Sequence, residues 1–167
     1  YWPRGRVLGG SSSINAMAYM RGLPHDFDDW VRAGATGWDW EEVRRCYDAL
    51  ESQDELTPAN RRRLRGQGPV RVTDMRDQMH PFTRHFLAAA RDMGWPVVED
   101  LNAAAVAGGE DQPEGGFGYM RSTLRQGRRW SSADAFLHPA RKRANLTVIS
   151  RARVERLQLH DGVVTGL

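Results

Sequence analysis

Apolar side chains recur at helical spacing in several stretches of the chain. Trp40, Val43, Tyr47 and Leu50 step by three or four residues behind Asp39, an N-cap with Glu42 three positions on; this predicts a helix with one buried face, running to about Glu51. Phe82, Phe86, Ala89, Ala90 and Met93 make a second stripe, entered through Pro81 and stopped by Gly94. A shorter helix is predicted from His25 to near Gly34, because the acids Asp26, Asp28 and Asp29 follow Pro24 and oppose the positive end of the helix dipole. Ser131, with Asp134 at the capping-box position, predicts another from Ser132 through Ala144, kinked at Pro139.

Period-two alternation predicts the strands. Pro69 to Thr73 places Val70 and Val72 on one face, and Phe117 to Leu124 reads as a strand ended by Gln126-Gly127. Leu146 to Ile149, Val154 to Leu159 and Val163 to Leu167 read as three short strands, the last two joined by the hairpin signal Asp161-Gly162. Ser52 to Gly68 is polar and aperiodic and predicts a long, mobile surface loop; Asn102 to Gly116, small, acidic and glycine-rich, predicts another. The first 13 residues hold three glycines and three serines ahead of small and apolar positions, which reads as a tight loop entering a buried helix. The fold class expected from this mixture is α/β, in the mixed α+β sense.

Composition narrows the function only by exclusion. Apolar residues make up 40% and charged residues 27%, which removes disordered and collagen-like classes, and no apolar run is long enough to span a bilayer. With Cys46 as the one cysteine, neither an intramolecular disulfide nor a four-cysteine or two-cysteine-two-histidine zinc site can be built. The net charge of +3 is too small to argue for a nucleic-acid binder, although arginines cluster at Arg61-Arg62-Arg63 with Arg65 and from Arg121 to Arg129. Tyr1 at the start and an alternating run that stops at Leu167 predict that the chain is a piece of something longer, truncated at both ends.

The glycine-serine loop carries the candidate chemistry. Gly5 and Gly10 have the spacing of a P-loop, with Ser12 at its Ser/Thr position, but Ser11 stands where the lysine is needed, so nothing reaches the β- and γ-phosphates of a nucleotide. What remains is a backbone that glycines allow close to a ligand and serines and amides that stabilise an anion such as a pyrophosphate. The same residues also fit a simple turn and cap. Asn15 is either a ligand contact or an internal brace, since a buried carboxamide needs several partners. The histidines have no triad or metal spacing; His80 and His85 are expected at the surface. Trp30, Trp38 and Trp40 read as core packing more than as a stacking wall.

Gly5 through Gly22, continued by Asp26-Phe27-Asp28-Asp29-Trp30, resembles the first signature of the glucose-methanol-choline (GMC) flavoprotein oxidoreductases. The likeness extends through Gly37-Trp38-Asp39-Trp40, Gly127-Arg128-Arg129 with Ser131, Ala135-Phe136-Leu137 and Asn145-Leu146-Thr147-Val148. Within that family the chain is most similar to the choline dehydrogenases and related bacterial alcohol dehydrogenases.

The resemblance implies a fragment of an FAD-binding Rossmann-like domain plus part of the substrate or lid region. Residues 1–22 would be the FAD-contacting loop and helix, 23–144 the lid and substrate side, and 145–167 strands returning to the FAD-binding domain. It implies FAD contacts at Val7, Gly10, Asn15, Ala16, Met17 and Ala18, and at Val154 beside the adenine. Ile14 occupies the place where some members attach FAD through a histidine, which implies unlinked, non-covalent flavin. The implied reaction is oxidation of a primary, choline-like alcohol to an aldehyde by hydride transfer to flavin, with oxygen or a quinone chain as acceptor. No nucleic-acid partner and no integral membrane segment are implied; the location would be cytoplasmic or peripheral at the inner membrane face. The family's Gly-x-Gly-x-x-Gly turn and catalytic histidine are expected outside this stretch, so the 167 residues alone are expected to be inactive. Leu101-Asn102-Ala103 replaces the family's Phe-Asn-Gly, and Ala104 to Glu114 reads as an insertion. The alternative from the residues alone is a non-catalytic module that binds phosphate or nucleic acid through the glycine-serine loop and the arginine clusters.

Overall fold

In the computed structural model, residues 1–56, 62–103 and 116–167 are described, 54–56 and 62–65 by their backbone. The proposed insertion at 104–114 and Arg61 therefore lie outside the described residues, as does the middle of the predicted 52–68 loop. Helices and strands are mixed, as expected. A five-stranded sheet has the order β1 (Ala18–Tyr19), β5 (Arg121–Ser122), β4 (Val70–Asp74), β2 (Glu51–Leu56) and β3 (Arg62–Arg65). Within this sheet, among the described residues, the β2–β4 pair is parallel and the other pairs are antiparallel.

Helix α1 (Pro24–Arg32) begins where the Asp26 carboxylate accepts the Leu23 N–H at 2.9 Å, and Gly34 at φ 103° ends it. Helix α2 (Trp40–Leu50) starts on the Asp39 side chain, which accepts the Glu42 N–H at 3.1 Å. Phe27 is buried and gathers the tryptophans: its ring meets Trp30 edge-on at 5.3 Å and stacks on Trp40 at 5.8 Å, while Trp30 meets Trp38 at 5.5 Å. The tryptophans thus pack on one another, with Trp30 and Trp38 still about half exposed. The α2 face is less buried than its periodicity predicts: Trp40, Val43 and Tyr47 are half-buried and Leu50 is exposed.

Four expectations are corrected. No buried helix follows the glycine-serine loop: Gly10–Ser13 makes a single 3-10 turn, Met17 takes φ 62°, and the chain enters β1. A residue in the left-handed region ends any helix there. The 52–68 segment is not a loop throughout, because Glu51–Leu56 and Arg62–Arg65 form an antiparallel pair. Its polar composition hid the strand: Ser52 is fully buried, donating to the Gly68 carbonyl at 2.8 Å and accepting from the Arg71 guanidinium at 2.8 Å. Helix α3 (Phe82–Asp92) buries Leu87 and Ala90, whereas Phe82, Phe86, Ala89 and Met93 of the predicted stripe are exposed. Finally, no strand forms over 146–157; only β8 (Gln158–His160) and β9 (Val163–Gly166) pair, across Asp161 (φ 47°) and Gly162 (φ 75°).

The segment 117–125 is split into β5 and β6 (Leu124–Arg125), and β6 turns through Gln126 and Gly127, both at positive φ, into β7 (Arg128–Arg129). Ser131 and Asp134 make the expected box: the carboxylate accepts the Ser131 N–H at 2.9 Å and its hydroxyl at 2.6 Å. The helix they start is shorter than predicted. Ala133–Leu137 is π-helical, with the His138 N–H on the Ala133 carbonyl, and it continues as α4 (His138–Ala140). Pro139 lacks the N–H that would close the next regular turn, which accounts for the wider winding. No helix of the described residues is long and apolar enough to cross a membrane.

Candidate functional site

The glycine-serine loop is built by glycine geometry. Gly9 (φ 89°) and Gly10 (φ 55°) turn the chain, and Gly5 passes so near that a Cβ on it would lie 2.2 Å from the Gly10 carbonyl oxygen. The Gly10 N–H donates to the Val7 carbonyl at 2.8 Å, the Ser13 hydroxyl to the Leu8 carbonyl at 2.8 Å and the Ser12 hydroxyl to the Gly9 carbonyl at 2.5 Å. These bonds fix a bulge whose outer side is open: a Cβ on Gly10 would meet nothing within 4 Å.

A second piece of chain clamps the loop from more than 110 residues away. The Ser132 N–H donates to the Ser12 hydroxyl at 2.9 Å, and the Ser132 hydroxyl donates to the Gly9 carbonyl at 3.1 Å. Arg129 on β7 donates to the Ser12 carbonyl at 3.0 Å and to both the side-chain Oδ1 (2.7 Å) and main-chain oxygen (2.8 Å) of Asn15. Asn15 Oδ1 also accepts the Met17 N–H at 3.1 Å, and the Met17 carbonyl accepts the Thr123 N–H at 2.9 Å.

Val7, Gly10, Asn15, Ala16, Met17 and Ala18 therefore lie on one continuous braced segment. Val7, Asn15, Ala16 and Ala18 are exposed, as is Ile14. Val154 stands apart from them, exposed, in the segment before β8. Asn15 is an internal brace through its oxygen. Its Nδ2 amide makes no hydrogen bond among the described residues, which leaves two donors for a ligand.

The donor set fits a dinucleotide better than a simple anion. Carboxamide donors and the open glycine backbone suit a pyrophosphate, while exposed Val7, Leu8 and Ile14 on the same segment offer apolar surface to an aromatic ring system. The arginines from 121 to 129 do not form a free anion patch. Arg121 pairs with Asp100 at 3.0 Å and donates to Gln53 at 2.7 Å, Arg125 lies 4.8 Å over the Trp130 ring, and Arg129 holds Asn15.

A buried polar network beneath β1 was invisible in the sequence. Glu51, 2% exposed, accepts from the Tyr19 hydroxyl, from Arg21 Nε at 2.8 Å and from Gln53 at 2.7 Å, while Arg21 also reaches Asp48 at 3.0 Å. Burial, reinforced by the hydrogen bond and charge of Glu51, pushes the Tyr19 phenol far above its ordinary value, so it stays a donor. Desolvation draws the Arg21 guanidinium down, but its bonds to Glu51 and Asp48 outweigh this and hold it above its usual range. The network ties β1, and with it the end of the loop, to α2 and β2. It shares residues with a polar cleft of about 430 Å³ lined by Arg44, Asp48, Gln53 and Asn102. Arg129 was legible as a member of the motif Gly127-Arg128-Arg129 and of the Arg121 to Arg129 cluster, and Ser132 as the start of a helix; their contact with the loop was not.

The family model for GMC oxidoreductase matches residues 1–167. Mitochondrial choline dehydrogenase of Mus musculus is 44% identical over 160 residues, 93% of this chain and 25% of that protein. Alcohol dehydrogenase [acceptor] of Pseudomonas putida is 34% identical over the whole chain, which covers 28% of it. Pyridoxine 4-oxidase from Mesorbium loti superposes with a TM-score of 0.80 at 35% identity, covering 98% of this chain and 30% of that one. The chain thus spans about a quarter of the length of the curated relatives it matches. The chain belongs to the GMC oxidoreductase family, whose cofactor is FAD.

Proposed function

We propose that this chain is the loop-bearing part of an enzyme that oxidises a primary alcohol, choline-like in the first instance, to an aldehyde. The observation that carries the reading is the braced segment 7–18, which presents an unused carboxamide, an open glycine turn and apolar side chains on one surface. The similarity to choline and alcohol dehydrogenases supports the substrate class.

FAD, when bound, supplies the hydride-accepting centre. The work of this chain is binding and orientation. Gly10 would let the backbone approach the pyrophosphate, and Asn15 would donate its Nδ2 protons to the cofactor. Val7, Ala16, Met17 and Ala18 would hold the cofactor along the same segment, and Val154 would contact its adenine. Ile14, half exposed on the loop, has no nucleophilic atom with which to form a bond to the flavin, so the cofactor is held without a covalent link. The described residues of the loop contain no base, so the group that takes the alcohol proton comes from elsewhere in the parent protein.

The test is the visible spectrum of the purified parent protein before and after acid precipitation. Flavin bands that leave with the supernatant are expected; a yellow precipitate would overturn the non-covalent reading, and a colourless folded protein would overturn the whole. The coloured protein is then assayed with choline and other primary alcohols, with and without dioxygen. Turnover that needs dioxygen makes oxygen the acceptor and suits a cytoplasmic enzyme. Turnover that needs a quinone analogue suits a protein peripheral to the inner membrane face.

A further inference from the structure

The carboxamide of Asn15 has one orientation open to it, and Arg129 imposes it. Three N–H groups converge on this residue's oxygens: Arg129 Nη1 on Oδ1 at 2.7 Å, the Met17 N–H on the same Oδ1 at 3.1 Å and Arg129 Nη2 on the main-chain oxygen at 2.8 Å. Turning the amide by 180° would set its NH2 group against Nη1 and the Met17 N–H, donor against donor, and forfeit both bonds. The planar guanidinium spans the side-chain and main-chain oxygens of one residue at once, a geometry that a single ammonium cannot reproduce. A third bond, from Nη1 to the Ser12 carbonyl at 3.0 Å, fixes the guanidinium to the turn that precedes Asn15. Arg129 itself is half-buried, and it reaches the loop from β7 across a separation of 114 residues.

We infer that Arg129 is a positioning residue for the cofactor: it locks the Asn15 carboxamide so that both Nδ2 donors face the flavin nucleotide, without touching the nucleotide itself. This rests on the FAD reading of the loop given above. It also explains why an arginine at the end of a two-residue strand is spent inward, while the adjoining Arg128 is exposed. Ser132 completes the clamp by holding Ser12 and Gly9, but it leaves the amide free to turn; orientation depends on the guanidinium, with the Met17 N–H as the weaker second donor on the same oxygen.

The experiment measures FAD affinity by flavin fluorescence titration of the deflavinated parent protein, beside the shape of the bound flavin's visible bands. Three bonds lost at a half-buried site correspond to about a tenfold weakening for Arg129→Ala, the lower end of what charge-assisted bonds are worth. Arg129→Lys, which keeps charge and reach but cannot span both oxygens, is expected between the two and serves where the alanine variant does not fold. Millimolar guanidinium ion should restore affinity to Arg129→Ala and leave Asn15→Ala unchanged. In the double variant the two losses should not add, because without Asn15 the arginine has nothing to orient.

Wild-type protein that binds no FAD would defeat the reading on which the inference rests. Wild-type protein that binds FAD, with both arginine variants within twofold of it, would defeat the inference alone. So would losses at Arg129 and Asn15 that simply add, or an affinity loss that guanidinium does not repair while melting temperature falls, since those are the marks of a purely structural brace.

Discussion

Gly5 and Gly10 are both glycines of the same loop, yet a methyl group added to each meets opposite circumstances. On Gly5 it would fall 2.2 Å from the Gly10 oxygen and 2.8 Å from the Ser11 nitrogen, so the loop must open before the side chain fits. On Gly10 it would enter space that no described atom occupies, and the cost is the left-handed φ of 55°, about 1 kcal/mol. Gly5→Ala is therefore expected to lower both the melting temperature of the deflavinated protein and its affinity for FAD. Gly10→Ala should leave melting within a few degrees of wild type and still weaken FAD, because the methyl stands where the pyrophosphate is proposed to approach. Equal FAD affinity in Gly10→Ala and wild type, by titration, would remove Gly10 from the cofactor site. The glycine pair was visible in the sequence as a turn; which of the two faces the ligand was not, because that depends on where the chain five residues earlier runs.

The short helical segment after Ser131 does two jobs, and its cap makes the link between them testable. Asp134 accepts from both the hydroxyl and the N–H of Ser131, and these bonds, with a smaller contribution from His138, hold its carboxyl below the usual aspartate range. A carboxylate lowered by folding contributes stability that is present above its unfolded value, near 4, and is lost as pH falls through the folded value. Asp134→Ala is expected to cost about 1 kcal/mol at pH 7, the ordinary value of a helix cap. The variant and wild type should converge only once the pH has fallen below the lowered folded value of Asp134, where neither carries the charge; denaturant midpoints followed from pH 7 down through the acid range check both statements. Because Ser132 directly follows the capped residue and holds Ser12, loss of the cap should also raise hydrogen exchange in the glycine-serine loop.

Elements of this kind were readable wherever a local signal sufficed. Asp39, Ser131 with Asp134, and Asp161-Gly162 each specify a cap or turn within four residues, and each forms as predicted. What failed was decided by neighbours. The start of β2 lacks an apolar strand pattern because Glu51 and Ser52 are buried as a carboxylate and a hydroxyl, satisfied by Arg21, Tyr19 and Arg71 from distant positions. Leu146 to Ile149 has the pattern, but no described strand offers it an edge. The braced loop combined both cases: its residues were identified by motif, and the arginine that orients Asn15 lay 114 positions further on.

At the scale of the molecule several large apolar side chains are open to solvent, and α3 is where this is most marked. Phe82 is 66% exposed, Phe86 57% and Met93 74%, and Trp95 and Phe117 extend the same surface, their rings 6.2 Å apart with Phe86 5.8 Å from Phe117. Soluble proteins seldom leave a continuous aromatic face of this kind in water, and when they do it marks an interaction surface. Relatives of this family are close to four times the length of the chain, which covers 25% of the mouse choline dehydrogenase. The expectation is that the parent polypeptide folds back over α3. Hydroxyl-radical footprinting read by mass spectrometry distinguishes the cases through Met93, whose thioether oxidises readily when exposed. In the isolated 167-residue chain Met93 should oxidise as fast as a methionine in a short peptide. In the parent protein it should be protected at least tenfold, while Met20, exposed on the far side of the sequence, serves as the internal comparison. Equal oxidation of Met93 in both would mean that the α3 face stays open in the whole enzyme and belongs to a separate partner.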